Sequence, residues 1–538
     1  MSRQVRTYDK WLQGVTAAGD PAAGDFNTEN AQVYENGTLG PRPGWKAISD
    51  TAGTRVWDIS DGDTLQGLQW YLETDDNPGL ALLFRDDSAA AHKYDLLPLD
   101  TATWVAGATL SDLGSGGANL FPPRYDDQNL TMSWNDGQVL TALGPHILSA
   151  GASSPGTVAA ITTADGDARV VTLYRERAYY WGINGKPGRI YYSDAADYAT
   201  VGALSFFPVN ADDDSWAGAP VGAWSVKNAL LIATKDNRWM VLTGTSPENG
   251  TLRELGTDPV PFHGGGALVD NQLYFLSPTG LGVVVATPSF VDSTSLGYLS
   301  PLAYPGSTVV RPNNNFQPLP AVGDDVNGSL FLPGRLNGDD PDIVAVERVN
   351  DVFALSRWAF STGPADVRFT KGRPNELYAA ASTATDIDLF SRNHTLNRPA
   401  KSNDTKSVAL GSEAATASGS SVIVDLGEQT AGEGKIVRPV KVVLDIDYWK
   451  GGNYSAPELA IDATVLGTEA TTPEDAMTQQ TVTVTGWADS VGNAPYKRRV
   501  SVALPHLQFG TRFKIRLTYD NLALDSVQVY YDEQDDPR

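Results

Sequence analysis

One unit recurs along this chain: a short apolar run, a tight polar turn, and a second apolar run. Runs 68–72 and 80–84 flank Asp75-Asp76-Asn77-Pro78-Gly79, and runs 130–134 and 139–143 flank Asn135-Asp136-Gly137. Runs 178–181 and 190–192 flank Asn184-Gly185-Lys186-Pro187-Gly188, and runs 230–233 and 239–242 flank Lys235-Asp236-Asn237. Three further copies centre on Pro278-Thr279-Gly280, on Asn337-Gly338-Asp339-Asp340 and on residues 383–386. Asn-Gly and Asp-Gly supply the positive φ that tight hairpins need. Pro-Gly fixes one corner and frees the next. The turns lie about 51 residues apart on average, close to the ~40–50 residues of a propeller blade. A lone hairpin cannot bury both of its faces, whereas stacked blades can. The pattern predicts an all-β fold with a β-propeller of about seven blades. A string of β-sandwiches is the competing fold, but sandwiches give turn signals every ~8–12 residues without a longer period.

The character changes after residue 390. Ser, Asn, Thr, Ala and Gly dominate 391–421, with Pro399 inside, which reads as a linker. Strict alternation then resumes. Val442, Leu444, Ile446 and Tyr448 alternate with Lys441, Asp445 and Asp447. Phe513, Ile515, Leu517 and Tyr519 repeat the pattern, as do Val527, Val529 and Tyr531. Period-2 segments of this kind predict a C-terminal β-sandwich with one wet face per sheet. The expected organisation is an N-terminal arm with the first strands over 1–50, a propeller over 51–395, a linker over 396–421 and the sandwich over 422–538. The segment 1–50 reads equally as an arm, as a partner-binding segment, or as the strand that closes the propeller ring.

Composition removes several classes of chemistry. The 538 residues include no cysteine, so disulfides, thiol nucleophiles and cysteine metal sites are excluded. No signal-like apolar stretch stands at the N-terminus, and no run approaches the ~18 apolar residues of a membrane span. The net charge is −24. A non-specific DNA binder needs a basic surface to displace counterions, so this chain is expected to repel DNA. Such a charge serves plain solubility, and it also suits a wall past which DNA must slide without sticking.

The search for reactive groups yields little. The five histidines, His92, His146, His263, His394 and His506, show no zincin spacing and read as surface or loop residues. His263 precedes Gly264-Gly265-Gly266, but no G-x-S-x-G elbow accompanies it. Asp212-Asp213-Asp214, Asp324-Asp325 and Asp339-Asp340-Pro341-Asp342 resemble calcium loops only in being acidic, because the distal Glu of an EF-hand is missing. Asp61-Gly62-Asp63 and Asp165-Gly166-Asp167 read as turns. The expectation is a chain without catalytic residues, without cofactor-binding residues and without metal ligands. Trp and Tyr within the strands read as core.

Two stretches carry a resemblance. The run Asn30-Ala31-Gln32-Val33-Tyr34-Glu35-Asn36-Gly37-Thr38-Leu39-Gly40-Pro41-Arg42-Pro43-Gly44-Trp45 resembles an N-terminal element of phage tail nozzle and related virion proteins. Arg189-Ile190-Tyr191-Tyr192-Ser193-Asp194, then Phe206-Phe207-Pro208-Val209, Leu230 to Arg238, Thr243-Gly244-Thr245 and Leu273-Tyr274-Phe275-Leu276-Ser277 before Gly280, are similar to propeller proteins of tailed-phage virions. The resemblance spans roughly residues 20–290 and implies an architectural, non-enzymatic part of a phage tail, either a nozzle or a tail-tip ring. It further implies a homo-oligomeric ring, contacts with other tail proteins, DNA passing without specific binding, and a place in the virion after synthesis in the host cytoplasm. A heterologous contact repeated about an axis closes such a ring. The competing reading is a carbohydrate-binding or glycan-degrading propeller with an appended sandwich, for which a host-surface glycan is the partner. A bacterial surface interaction protein is the third.

Overall fold

The computed structural model describes the strands named below and the short stretches that border them, among them 163–166, 185–188, 193–197, 200–205, 235–237, 432–434, 485–487 and 504–511. Residues 12–26, 111–131, 150–157, 258–265, 299–315 and 393–414 lie outside the described set. All the named elements are β-strands.

The chain opens with six short strands: β1 (Ser2–Tyr8), β2 (Asn27–Glu29), β3 (Ala31–Val33), β4 (Leu39–Pro41), β5 (Trp45–Ala47) and β6 (Val56–Asp58). Four four-stranded antiparallel sheets follow in sequence. They comprise β7–β10 (Thr64–Leu72, Pro78–Asp86, Ala91–Pro98, Val105–Leu110) and β11–β14 (Met132–Asn135, Gln138–Thr141, His146–Ser149, Val158–Ala160). Next come β15–β18 (Val170–Tyr174, Arg177–Trp181, Arg189–Tyr192, Phe206–Pro208) and β19–β22 (Pro220–Val226, Ala229–Thr234, Arg238–Thr243, Thr251–Thr257). A fifth unit is built from two ladders, β23–β24 (Gly266–Val269, Gln272–Phe275) and β25–β26 (Val284–Val285, Gly297–Tyr298). In the sixth, β27 (Phe316–Pro318) and β28 (Val322–Asp324) both pair with β29 (Ser329–Leu336), which continues to β30 (Asp342–Val349) and β31 (Val352–Trp358). The seventh is β32–β34 (Asp366–Lys371, Leu377–Ser382, Asp386–Arg392).

One strand from each successive unit touches the next in a closed circuit: β7, β11, β15, β19, β23, β28, β32 and back to β7. Seven sheets standing round a common axis are a seven-bladed β-propeller. The ring is closed by the N-terminal segment. β5 and β6 both pair with β34, so residues 45–47 and 56–58 lie along the outer edge of the last blade. A further short strand, β35 (Ala415–Thr416), pairs with β5 inside the stretch read from sequence as a linker.

Each of the seven turns read from the sequence lies between two consecutive strands, and six of those strand pairs are hydrogen-bonded directly. The first two turns join the first and second strands of a blade, four of the later five join the second and third, and the turn at 337–340 joins β29 to β30, which contributes to their uneven spacing. At the described turn 235–237, Asn237 takes a positive φ of 64°, a conformation asparagine tolerates better than bulkier side chains. Thr234 Oγ1 and Arg238 Nε both donate to the Asp236 carboxylate, at 2.5 and 2.7 Å.

Blade stacking explains why β16 reads as an unbroken aromatic run. One side of the third blade presents Tyr174, Tyr179, Trp181, Ile190 and Tyr192 to Ala223, Leu230, Ile232, Met240 and Leu242 of the fourth. Its other side buries Ala178, Tyr180 and Tyr191 in a separate cluster. A sheet covered on both faces has no wet side for polar residues to occupy. Each aromatic ring removes about 150–250 Å² from water, so the blade contacts rest on these residues.

The C-terminal part is a two-layer sandwich. One sheet holds β1, β3, β4, β42 (Leu522–Asp535), β37 (Lys435–Tyr448) and β40 (Tyr496–Ala503). The other holds β2, β36 (Val422–Thr430), β41 (Arg512–Asp520), β38 (Glu458–Leu466) and β39 (Met477–Val484). Val442, Leu444, Ile446 and Tyr448 point inward against Val424, Ile461, Ile515 and Leu517, as the alternation predicts. The same core takes in Tyr8, Trp11, Ala31, Val33 and Leu39 from the N-terminus. β2 is the seam of the molecule. It pairs antiparallel with β36 of the sandwich and parallel with β31 of the sixth blade, through Glu29 and Arg357. Propeller and sandwich therefore share one ten-stranded sheet.

Candidate functional site

The sequence singled out loops and turns, and the structure places them as follows. His92 and His146 lie on β9 and β13, while His263 and His394 fall outside the described residues. His506 sits on an exposed turn, where its backbone N–H donates to Gln480 Oε1 at 3.2 Å. Asp212-Asp213-Asp214, Asp61-Gly62-Asp63, Asp325, Asp339 and Asp340 lie outside the described residues. Asp324 ends β28 and Asp342 begins β30. Asp165 is a structural pin. Its carboxylate accepts from Arg189 Nη1 at 2.7 Å and from the Tyr191 hydroxyl. Burial, followed by that neighbouring carboxylate, pushes the Tyr191 phenol up to about 12. Among the described residues, no group of His, Asp and Glu has the arrangement of a metal site.

The most developed polar site lies elsewhere, on the wet face of the sandwich sheet formed by β40, β37 and β42. Alternation on β37 sends Asp445 and Asp447 outward while Leu444, Ile446 and Tyr448 enter the core. Antiparallel pairing puts Arg499 opposite Asp445 and Lys497 opposite Asp447. On the other flank the register of β42 slips between Asp445 and Ile446. Ser526 faces Asp445 and Leu524 faces Ile446, so Asp525 is the extra residue of a β-bulge. Leu522 and Leu524 point into the core before the slip, and Val527 and Val529 do so after it. Two consecutive side chains, Asp525 and Ser526, therefore share the outer face, as a bulge re-aims residues beside functional clefts. Trp11, itself fully buried, donates from Nε1 to the Asp525 carbonyl at 3.1 Å and anchors the bulge.

The resulting depression encloses about 240 Å³ and is lined by Asp445, Asp447, Asp525, Lys497, Arg498 and Arg499, with Ile446 at its floor. Asp445 is fully engaged. It accepts from Ser526 Oγ at 3.0 Å and pairs with Arg499 Nε at 3.4 Å. Asp447 is not. Its side chain is only 3% exposed, and among the described residues it accepts no side-chain hydrogen bond. Its counter-charge, Lys497 Nζ, stands 4.0 Å away on a side chain that is 79% exposed. Burial raises the Asp447 carboxyl above its usual range, Lys497 opposes that shift, and Asp525 adds to it.

On the opposite, core-side face of the same strand pair stands an aromatic cluster. Tyr448 packs against Trp487 at 5.2 Å and against Tyr496 at 5.7 Å between ring centres. Tyr496 is 40% exposed. Arg498 lies over the Trp487 ring at 5.7 Å and donates to the Gly486 carbonyl. Sequence reading found the alternation of Asp445 and Asp447 but not the site. The run Lys497-Arg498-Arg499 was its one local signal, because three adjacent cations are conspicuous in a chain of net charge −24.

No protein-family model matches the chain, and no curated protein matches it in sequence. Solved structures similar to it include BamB from Moraxella catarrhalis, at 12% identity over 73% of this chain and 98% of that one, with a TM-score of 0.37. A second is the WD40 β-propeller domain of Doa1, at 10% identity over 65% and 98%, with a TM-score of 0.40. A third is a putative 6-phosphogluconolactonase from Bacteroides uniformis, at 14% identity over 59% and 92%, with a TM-score of 0.41. The seven-bladed arrangement itself is read from this chain's own sheet order and ring contacts.

Proposed function

We propose that the chain is a non-enzymatic structural component of a phage tail, a nozzle or tail-tip ring that assembles with copies of itself and with other tail proteins around the DNA path. The observation that carries this reading is the seam at β2. A ten-stranded sheet runs from the sixth blade into the sandwich, and the N-terminal segment both joins the sandwich and closes the propeller. Such lacing makes one stiff body from two modules that a plain linker would leave mobile, which suits a subunit that transmits load. The resemblance of residues 20–290 to tail propellers supports the same reading, as does the net charge of −24. An acidic wall repels DNA over a Debye length of about 8–10 Å.

Electron microscopy of purified particles labelled with an antibody to this chain tests the reading. Density for a propeller–sandwich subunit repeated about the tail axis is the expected result. Label on free protein only, with none on particles, would overturn it.

A second reading, glycan recognition by the sandwich, is favoured by one arrangement: the outward depression in which the nearly buried Asp447 stands beside Asp525, Lys497 and Arg499. The two readings are compatible in one molecule, because the pocket occupies the wet face of a sheet whose other face is core.

A further inference from the structure

We propose that the depression around Asp447 is a binding site for a single neutral sugar ring, held by its hydroxyl groups between the carboxylates of Asp447 and Asp525 and the cations Lys497 and Arg499. The inference rests on the glycan reading above and assigns it a place and a ligand class.

Three observations point the same way. The first is the state of Asp447. A carboxylate buried to this degree normally takes hydrogen bonds from its surroundings. Here its neighbours on the outer face are another carboxylate and a cation at the limit of an ion pair. It presents unused acceptor capacity to the cavity it lines. The second is the sign pattern. A ligand ammonium group would approach Asp447 but meet Lys497 and Arg499 on the opposite wall, and an anionic ligand would meet Asp447 and Asp525. A neutral hydroxyl group both donates and accepts, so adjacent hydroxyls on one ring satisfy both walls at once. The third is size. The depression holds about 240 Å³, below the ~300–1,000 Å³ of sites for drug-sized ligands. That leaves room for one ring.

The bulge strengthens the assignment. An uninterrupted strand would have put Asp525 and Ser526 on opposite faces. The extra residue brings both beside the two aspartates of β37, and Trp11 is committed to holding it. A local irregularity with a buried aromatic dedicated to it marks a position where the ladder has been given up for the placement of a side chain.

The test uses the full chain on an array of immobilised neutral hexoses, N-acetylhexosamines and acidic sugars, followed by calorimetric titration with the best free monosaccharide. Binding of a neutral sugar is expected, weakened at least tenfold by Asp447→Asn and by Arg499→Ala. Arg499→Ala should keep the thermal transition of the native chain, and Asp447→Asn should not lower it. Arg499 is 60% exposed, so its removal tests the site without a fold penalty. Sugar binding that both variants leave intact would place glycan recognition elsewhere, ending this assignment while sparing the broader reading. No binding to any array member would end both. Preference for an acidic sugar would overturn the ligand class.

Discussion

Two aspartates on the sandwich illustrate how the same side chain acquires opposite energetics. Asp532 is nearly buried and takes hydrogen bonds from Arg3 Nε at 2.9 Å and Nη2 at 3.3 Å, and from Arg438 Nη2 at 3.3 Å. The bond from Arg3 leads in holding its carboxyl below the usual range; burial opposes it, and Arg438 adds to it. The folded state thus binds the proton more weakly than the unfolded chain. The stabilisation is complete above the unfolded carboxylate pKa and is lost as pH falls through the folded one. Asp532→Ala should cost about 1.5–3 kcal/mol at pH 7, the range for hydrogen bonds to charged groups. In urea melts the gap should close as the medium is acidified. Asp447 has the reverse sign. Its raised pKa means that ionisation penalises the folded state, fully above the folded pKa and not at all below the unfolded value. Asp447→Asn is therefore expected to raise Tm at pH 7, with the gain vanishing below about pH 4, the ordinary carboxylate value. A native residue whose neutral replacement is more stable fits a site retained for binding rather than for folding.

Among the elements, β2 carries more consequence than its three residues suggest. It is a central strand, flanked by β31 on one side and β36 on the other. Proline cannot donate to a ladder and is confined to sheet edges and bulges. Thr28→Pro is therefore predicted to unzip the seam while leaving the two cores intact. Scanning calorimetry should show the native chain's single transition resolve into separate sandwich and propeller transitions. A single transition displaced by a few degrees would mean that the seam does not couple them. The strands of the sandwich also show what sequence reading could reach. β37, β41 and β38 were legible because one face of each is wet, which imposes strict alternation. β2, with three residues and a sequence of Asn27, Thr28 and Glu29, carries no apolar signal. Its role comes from the partners that meet there. The bulge at Asp525 was equally hidden, since Leu522, Leu524, Val527 and Val529 break the period by one residue only in hindsight of the pairing.

For the whole molecule, the N-terminus has three attachments besides the β2 seam and the β3–β4 hairpin beside β42. β1 runs along β42, Trp11 enters the sandwich core, and β5 and β6 complete the seventh blade. A chain beginning at residue 59 would lose all three. Its seventh blade would end at β34 with an unpaired edge, and such edges recruit other chains. That truncation is expected to aggregate and to be cleaved rapidly by protease within 366–392, whereas the intact chain resists. Adding the peptide 1–58 in trans should restore resistance if the loss is one of ring closure. The acidic character is a property of this scale as well. At 50 to 200 mM salt the chain is predicted not to retard duplex DNA in a gel, because it offers no net counterion release.

The sequence by itself determined the local periods. Hairpin turns at blade-like intervals and alternation in the last 120 or so residues follow from side-chain direction and turn chemistry, which neighbours in the chain decide. Those periods are enough for an all-β fold with a propeller and a sandwich. Tertiary structure alone decided which strands meet across hundreds of residues. It placed β5 and β6 on the last blade, Arg3 on Asp532, Trp11 beneath the bulge and Lys497 over Asp447. The physical reason is that ring closure and cross-strand pairing cost loop entropy that many separate contacts repay only together. No segment of the chain carries that sum on its own.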